Sequence, residues 1–207
     1  EIKDVLPTSS TVTQCYGTDY SYEVVTSYPA NVVSYQWKSS VVSGVWNDVV
    51  DGTHFLGAKT ETLQIINGTP AESAAYRVYI TFDASGADCN VDSSSRSRTI
   101  SFLPEVTAPV ATITQPSCTV ATGSVVLSGL PASGTWNLTR TGTSGATTTG
   151  TGTSTTISGL ATGTYNFTVF DGTCTSLPAN VVINVQPGTP LEPTIDDHTL
   201  PTFADND

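Results

Sequence analysis

The sequence predicts an all-β protein built as two tandem β-sandwiches, and three observations support this prediction. Short runs rich in Val, Ile, Tyr and Thr alternate between apolar and polar residues, as in "VVSYQWKS" at 32–39. Turn-forming pairs such as Asp51-Gly52 and Asn67-Gly68 separate these runs at intervals of about 8–12 residues. No stretch shows a convincing helical period. This combination is typical of sandwiches made of short antiparallel strands.

Residues 1–105 predict the first sandwich, of the immunoglobulin-like type. Trp37 lies on an alternating strand, as does the buried Trp on the third strand of such domains. Tyr76-Arg77-Val78 corresponds to their Tyr-x-Cys motif, with Val78 in the place of the inter-sheet Cys. We therefore expect Trp37, Tyr76 and Val78 in the core. The predicted strands are "YSYEVVTS", "VVSYQWKS", "GVWNDVV", "ETLQIIN", "AAYRVYITF" and "SRTISFL".

Residues 106–187 predict a second sandwich, so that the two form a tandem pair of Ig-like or fibronectin-like type. Its composition is different, since it is rich in Thr, Ser and Gly, and Thr supplies 21 of its 82 residues. Leu160, Gly163 and Tyr165 have the spacing of a tyrosine corner, in which the Tyr hydroxyl bonds to upstream backbone. Alternation around Trp136 and Tyr165 places both in the predicted core. The predicted strands are "VATITQ", "GSVVLSGL", "GTWNLTR", "STTISGL", "GTYNFTVFD" and "NVVINVQ".

Charge is distributed in steps that agree with this division. Residues 1–105 carry a net charge of −6, residues 106–187 carry zero, and residues 188–207 carry −5, which together give −11. We interpret 188–207 as an acidic linker or the start of a truncated next module. The excess of acids argues against nucleic-acid binding, which needs clustered Lys and Arg. No apolar run approaches the ~20 residues that span a bilayer, so membrane insertion is not expected.

The four cysteines, Cys15, Cys89, Cys118 and Cys174, allow three pairings, and the sequence alone does not choose between them. Each predicted sandwich holds one Cys near its start and one near its end. We therefore expect the disulfides Cys15–Cys89 and Cys118–Cys174, and with them an oxidising compartment. None of the four has the CxxC spacing of a zinc or redox site.

Residues with catalytic potential are few. The two histidines, His54 and His198, are far apart, and no nucleophile elbow, HExxH or phosphate-binding loop is present. We therefore predict no enzymatic activity, no catalytic residue and no cofactor.

Two weaker site predictions remain. Acidic residues near predicted turns are candidate Ca²⁺ ligands, although they lack EF-hand spacing and acidic turns are usually only solvated. These candidates are Asp48, Asp51, Asp196 and Asp197. Trp46 is the candidate for ligand contact, since an exposed Trp can stack on a sugar, although it could equally pack within its own hairpin.

Two sets of motifs resemble known bacterial modules. Cys15, Tyr35-Gln36-Trp37, Trp46 and Tyr76-Arg77-Val78 resemble the Ig-like repeats of large secreted surface proteins of Bacteroidota. The runs "GLPASGTW" and "GLATGTYNFTVFDGTCTS" resemble repeats of the SprB-type gliding adhesins. In those repeats an opening-strand Cys bridges to a Cys after the "YNFTV" strand, which implies Cys118–Cys174 here.

The resemblance implies a non-enzymatic segment of a long adhesin on the bacterial cell surface. Such a segment acts as a stiff stalk between neighbouring modules and makes weak contacts with polysaccharide or an abiotic surface during adhesion or gliding. Weak contacts repeated along a fibre gain strength through effective concentration. Two alternatives stay open: accessory modules of a secreted polysaccharide-degrading enzyme, and a spacer without a ligand.

Overall fold

The computed structural model describes residues 2–84, 87–92 and 96–189, with backbone only at 84, 87–90 and 92. These residues form an all-β structure, in agreement with the predicted fold class. Four sheets enclose two separate hydrophobic cores. We refer to the sheets around the first core, residues 2–102, as the first sheet pair. Those around the second core, residues 110–183, are the second sheet pair.

The first sheet pair consists of a four-stranded and a six-stranded sheet. The smaller sheet has the order β1-β3-β7-β6. The larger has the order β2-β10-β8-β4-β5, and β9 also pairs with β8. Neighbours are antiparallel except β2 and β10, which are parallel. The strands are β1 (Ile2–Leu6), β2 (Thr11–Gln14), β3 (Tyr20–Thr26), β4 (Val32–Ser40), β5 (Asn47–Asp48), β6 (Phe55–Leu56), β7 (Thr62–Ile65), β8 (Ala74–Ala84), β9 (Ala87–Asp92) and β10 (Arg98–Phe102).

The second sheet pair consists of a three-stranded sheet, β11-β12-β15, and a four-stranded sheet, β14-β13-β16-β17, both antiparallel. Its strands are β11 (Val110–Thr114), β12 (Gly123–Ser128), β13 (Trp136–Gly142), β14 (Ala146–Gly150), β15 (Ser154–Leu160), β16 (Gly163–Phe170) and β17 (Ala179–Ile183). Single 3-10 turns occur at Pro29–Asn31 and Pro70–Glu72, both in the first half of the chain.

An aromatic cluster fills the centre of the first core. Trp37 is fully buried and lies opposite Val78 in the β4–β8 register. The ring of Tyr22 stacks 6.2 Å from Trp37 and lies 5.7 Å from the ring of Tyr76. The Trp37 indole donates to the carbonyl of Thr60 at 3.0 Å, so its one polar group is satisfied. These rings occupy the interior between the sheets, where an antibody domain has its disulfide.

The second core repeats this arrangement. Trp136 is buried and its indole donates to the carbonyl of Gly152 at 2.7 Å. The hydroxyl of buried Tyr165 donates to the carbonyl of Ala161 at 3.0 Å, which confirms the predicted tyrosine corner. A second corner is present in the first core, where Tyr76 donates to the carbonyl of Glu72 at 2.7 Å.

The predicted disulfide pairings are wrong. Cys15 is bonded to Cys174, with their Cα atoms 5.7 Å apart, so the bond joins the first sheet pair to the second. Neither Cys15–Cys89 nor Cys118–Cys174 can therefore form in this structure. Cys118 is an exposed free thiol, and Cys89 lies on β9 opposite Phe82.

The positions of the strand ends explain this correction. Cys15 follows β2 beside the end of β10, near the first residues of β8, whereas Cys89 pairs near the last residues of β8. Cys118 lies beyond the end of β11, and Cys174 lies beyond the end of β16 at the opposite end of the second sheet pair. Each predicted partner is thus a strand length away, about 25 Å. Disulfide formation requires Cα atoms within roughly 7 Å of each other.

Among the residues that the structure describes, no helix is long or apolar enough to cross a bilayer. The interpretation of 188–207 as a linker or truncated module falls almost entirely outside the described residues.

Candidate functional site

Two loops meet at the disulfide between the sheet pairs, and each is held by its own hydrogen bonds. The loop of Cys174 is closed by Asp171, whose carboxylate accepts from the backbone N–H groups of Thr173 and Cys174, both at 2.8 Å. In the loop of Cys15, Thr18 donates its hydroxyl to the Cys15 carbonyl at 2.7 Å. Because local hydrogen bonds already set both loops, the disulfide joins two ordered segments.

The chain crosses the junction beside this bond. The backbone N–H of Leu103 donates to the carbonyl of Gln14 at 2.9 Å, which holds the outgoing chain against the Cys15 loop. Two cavities flank the connection at Pro104–Val106, with volumes of about 300 and 480 Å³. Exposed Tyr16 and Leu177 line the smaller one. At the junction a covalent bond therefore joins the two sheet pairs, and the surface around it is mainly apolar.

A groove on the outer face of the six-stranded sheet is the second feature with functional potential. It has a volume of about 500 Å³ and is bordered by half-buried Trp46. Six hydroxyl side chains line it, namely Ser40, Ser43, Ser73, Ser97, Thr99 and Ser101. An aromatic ring beside several hydroxyl groups suits a sugar, whose apolar ring face stacks while its hydroxyls form hydrogen bonds.

Cationic side chains cover part of the aromatic surface next to this groove. The guanidinium of Arg77 lies 4.1 Å from the ring centre of Trp46 and 4.9 Å from that of Tyr79. Arg77 also donates to the Tyr79 hydroxyl at 2.6 Å. Lys38 lies 4.9 Å from the same Tyr79 ring and forms an ion pair with Asp48. The Arg77 guanidinium thus lies against the Trp46 ring at the side of the groove.

The sequence singled out Trp46 in this groove but missed its other residues. On β10, Thr99 and Ser101 alternate with buried Arg98, Ile100 and Phe102, and Ser97 directly precedes the strand. The alternation in "SRTISF" could have identified these residues, because the same period of two that marks the buried positions also marks the outward-facing polar ones. Arg77 and Tyr79 likewise alternate with the buried residues of β8.

Of the four candidate Ca²⁺ ligands, the two within the described residues, Asp48 and Asp51, have other partners. Asp48 pairs with Lys38, and the Asp51 carboxylate accepts from the backbone N–H of Ala58 at 2.7 Å. Asp196 and Asp197 lie outside the described residues. Within the described part of the chain, no three His, Cys, Asp or Glu side chains are grouped so that they could hold a metal ion.

His54 has a local structural role. Its Nδ1 lies 3.0 Å from the carbonyl oxygen of Ile66, across the β6–β7 hairpin. No residue described along the Trp46 groove titrates near neutral pH, because the lining consists of hydroxyl, small apolar and indole side chains. The lining therefore offers hydroxyl groups and an aromatic ring to a ligand.

No protein-family model matches the chain. No curated protein matches it either.

Proposed function

We propose that the chain is a non-enzymatic segment of a long cell-surface adhesin, in which two sandwich domains form a stiff stalk. The observation behind this proposal is the Cys15–Cys174 bond. A flexible linker lets neighbouring domains reorient, since inter-domain contacts are usually weak. Here a covalent bond ties loops from both sheet pairs together beside the linker, so the two bodies cannot swing apart.

The strand orders support immunoglobulin-like and fibronectin-like domains. The orders β1-β3-β7-β6 and β2-β10-β8-β4-β5 correspond to an ABED sheet facing a CFG sheet extended at both edges. Both sheet pairs also contain a buried Trp and a tyrosine corner, which are hallmarks of this architecture. We place the domains at 1–105 and 106–187, with 188–207 outside them. In this proposal the location is extracellular, on the bacterial cell surface, where disulfides persist.

The groove beside Trp46 is the proposed contact for polysaccharide. Stalk domains that each hold a sugar weakly can together grip a surface through effective concentration. The groove favours a sugar because its hydroxyl groups can share hydrogen bonds with those of the ligand, while Trp46 offers an apolar ring.

Binding of the chain to insoluble and soluble polysaccharides tests this contact. We expect saturable binding to at least one polysaccharide and a loss of at least tenfold in affinity for Trp46→Ala, because the stacking surface is removed. Tyr28→Ala is the matched control, since Tyr28 is an exposed aromatic residue outside the groove. Binding that survives Trp46→Ala, or no binding at all, would overturn the sugar contact and leave a spacer.

The same groove favours a second candidate, an accessory module of a secreted polysaccharide-degrading enzyme. The two candidates differ in what should accompany the domains. An adhesin predicts further cysteine-containing sandwiches in the same protein, whereas the enzyme predicts a catalytic domain beside them. The inter-domain disulfide favours the adhesin, because a rigid rod serves to carry force or span a distance.

A further inference from the structure

Cys15 and Cys118 occupy corresponding positions in the two sheet pairs. Cys15 lies in the connection between β2 and β3, and Cys118 lies in the connection between β11 and β12. In both places the chain that leaves the sheet pair runs beside the cysteine loop. Leu103 donates to Gln14 next to Cys15, and the Gln186 side chain donates to the carbonyls of Ser117 and Cys118, both at 3.1 Å.

At this position Cys15 forms a disulfide with the sheet pair that follows in the chain. Its partner, Cys174, lies in the connection between the last two strands of the following sheet pair, β16 and β17. The outgoing chain brings the next body close to the cysteine loop, and the incoming end of that body carries the partner cysteine. The outgoing chain also passes close to Cys118, whose Sγ lies 3.6 Å from the carbonyl oxygen of Gly188.

We propose that Cys118 is a covalent docking site for a further domain of the second type, whose loop between its last two strands carries the partner cysteine. The disulfide Cys15–Cys174 is then one link in a chain of bonds, each joining the first loop of one domain to the last loop of the next. The surface around Cys118 fits such a docking face, because Val120 and Val185 are exposed beside it, as Tyr16 and Leu177 are at the existing junction.

The bond forms by thiol–disulfide exchange with a small-molecule disulfide such as oxidised glutathione. The Cys118 thiolate attacks one glutathione sulfur, forms a mixed disulfide and releases one reduced glutathione. The partner thiolate then attacks the Cys118 sulfur and releases the second reduced glutathione. Two protein thiols are oxidised, one glutathione disulfide is reduced, and the two thiol protons leave with the thiolates formed.

A tandem chain tests this proposal. Residues 1–187 are followed directly by a second copy of residues 105–189, so that Gln186-Pro187 replaces Leu103-Pro104 before the appended domain. After oxidation in a glutathione buffer, the protein is digested without reduction and the linked peptides are identified by mass spectrometry. We expect Cys118 to be linked to the appended copy of Cys174, with the original Cys15–Cys174 bond retained. A Cys118 that remains fully alkylatable, or that is linked within its own sheet pair, would overturn the proposal.

Two variants keep the result interpretable. In the first variant, the appended Cys174 is changed to Ser. We expect the appended domain still to fold, as shown by its thermal unfolding transition, and Cys118 to react with the alkylating reagent again. In the natural chain, Cys15→Ser should leave both Cys118 and Cys174 alkylatable, because they lie at opposite ends of one sheet pair. A Cys118–Cys174 bond in that variant would contradict the geometry on which the docking site rests.

Discussion

Two buried tyrosine hydroxyls in the first core differ in one respect. The Tyr76 hydroxyl donates to the Glu72 carbonyl at 2.7 Å. The Tyr22 hydroxyl is buried and has no hydrogen-bond partner among the described residues. A buried polar group without a partner costs free energy, whereas removal of a satisfied one leaves its acceptor unpaired. The Tyr76 hydroxyl therefore stabilises the folded state, whereas the Tyr22 hydroxyl destabilises it.

We predict that Tyr22→Phe is neutral or stabilising at pH 7, within about 1 kcal/mol, while Tyr76→Phe destabilises by about 1–2 kcal/mol. Both variants keep the aromatic ring and its packing, so each serves as the control for the other. Urea unfolding followed by tryptophan fluorescence measures the difference. Equal losses of stability for the two variants would contradict the role assigned to the tyrosine corner.

The same residues predict sensitivity to alkali. Burial raises the pKa of both Tyr22 and Tyr76 above the ordinary value. In the unfolded chain these groups lose protons near pH 10, so above that pH the folded state holds more protons than the unfolded state. Stability is therefore complete below about pH 10 and falls as the pH rises, by about 1.4 kcal/mol per pH unit for each tyrosine. Tyr22→Phe should remove one such contribution from the slope measured between pH 10 and 11.5.

The sequence predicted which residues are buried in the cores, but it did not predict which residues contact one another there. Trp37, Tyr76, Val78, Trp136 and Tyr165 were expected in the cores, and all five are buried. Alternation identifies such positions because a strand has only two faces. Tyr22 was missed as the residue beside Trp37, since its contact depends on how two sheets are superposed, which no local pattern encodes.

At the scale of elements, Arg98 clamps the start of the chain to β10. This buried side chain donates through Nε to the carbonyls of Val5 and Pro7, both at 3.1 Å, and through a terminal nitrogen to Asp4 at 2.9 Å. It thereby joins β1, in the smaller sheet, to β10, in the larger one. Because the guanidinium is charged, each of these hydrogen bonds is stronger than one between two neutral groups.

We predict that Arg98→Met destabilises the first sheet pair by about 2–4 kcal/mol, because two backbone carbonyls lose their donor and Asp4 loses its counter-charge. Lys59→Met is the matched control, since Lys59 is exposed and should change stability by less than about 0.5 kcal/mol. Amide hydrogen exchange of β1 should quicken in Arg98→Met alone. Equal stability of the two variants would show that the clamp contributes nothing.

The sequence predicted long alternating strands and missed short or irregular ones. All twelve predicted runs overlap a strand of the structure, but β1, β2, β6, β9 and β14 were not predicted. Two-residue β6 is too short to show a period, and β14, "ATTTG", lacks large apolar residues. Because such strands are specified by the neighbours they pair with, a single-sequence pattern detects them poorly.

The cysteine pairing belongs to the scale of the whole molecule, which explains why local reasoning failed. Sequence position showed that each predicted sandwich holds one Cys near its start and one near its end. Sequence position did not show at which end of the predicted sandwich each cysteine loop lies. Two cysteines can bond only when their loops lie at the same end. Assigning each pair to a single domain assumed that bridges lie within domains. Here the bridge joins the first sheet pair to the second instead.

The bond at the junction has a mechanical consequence when the chain is stretched from its two ends. Force passes from Cys15 directly to Cys174, whose sequence separation is 159 residues, so the residues between them are shielded. We predict that full extension in single-molecule pulling increases by about 550 Å when the bond is removed by reductant or by Cys15→Ser, at about 3.5 Å per residue.

The pulling measurement also separates the alternative pairings. A Cys15–Cys89 bond would hide only about 260 Å of chain, and a Cys118–Cys174 bond about 200 Å. Cys118→Ser is the control that should leave the extension of the oxidised chain unchanged, because Cys118 is a free thiol. An oxidised chain that extends as far as the reduced one would show that the junction is not locked. The proposed stiff stalk would then lose the observation that supports it, since only the connection at Pro104–Val106 would join the two sheet pairs.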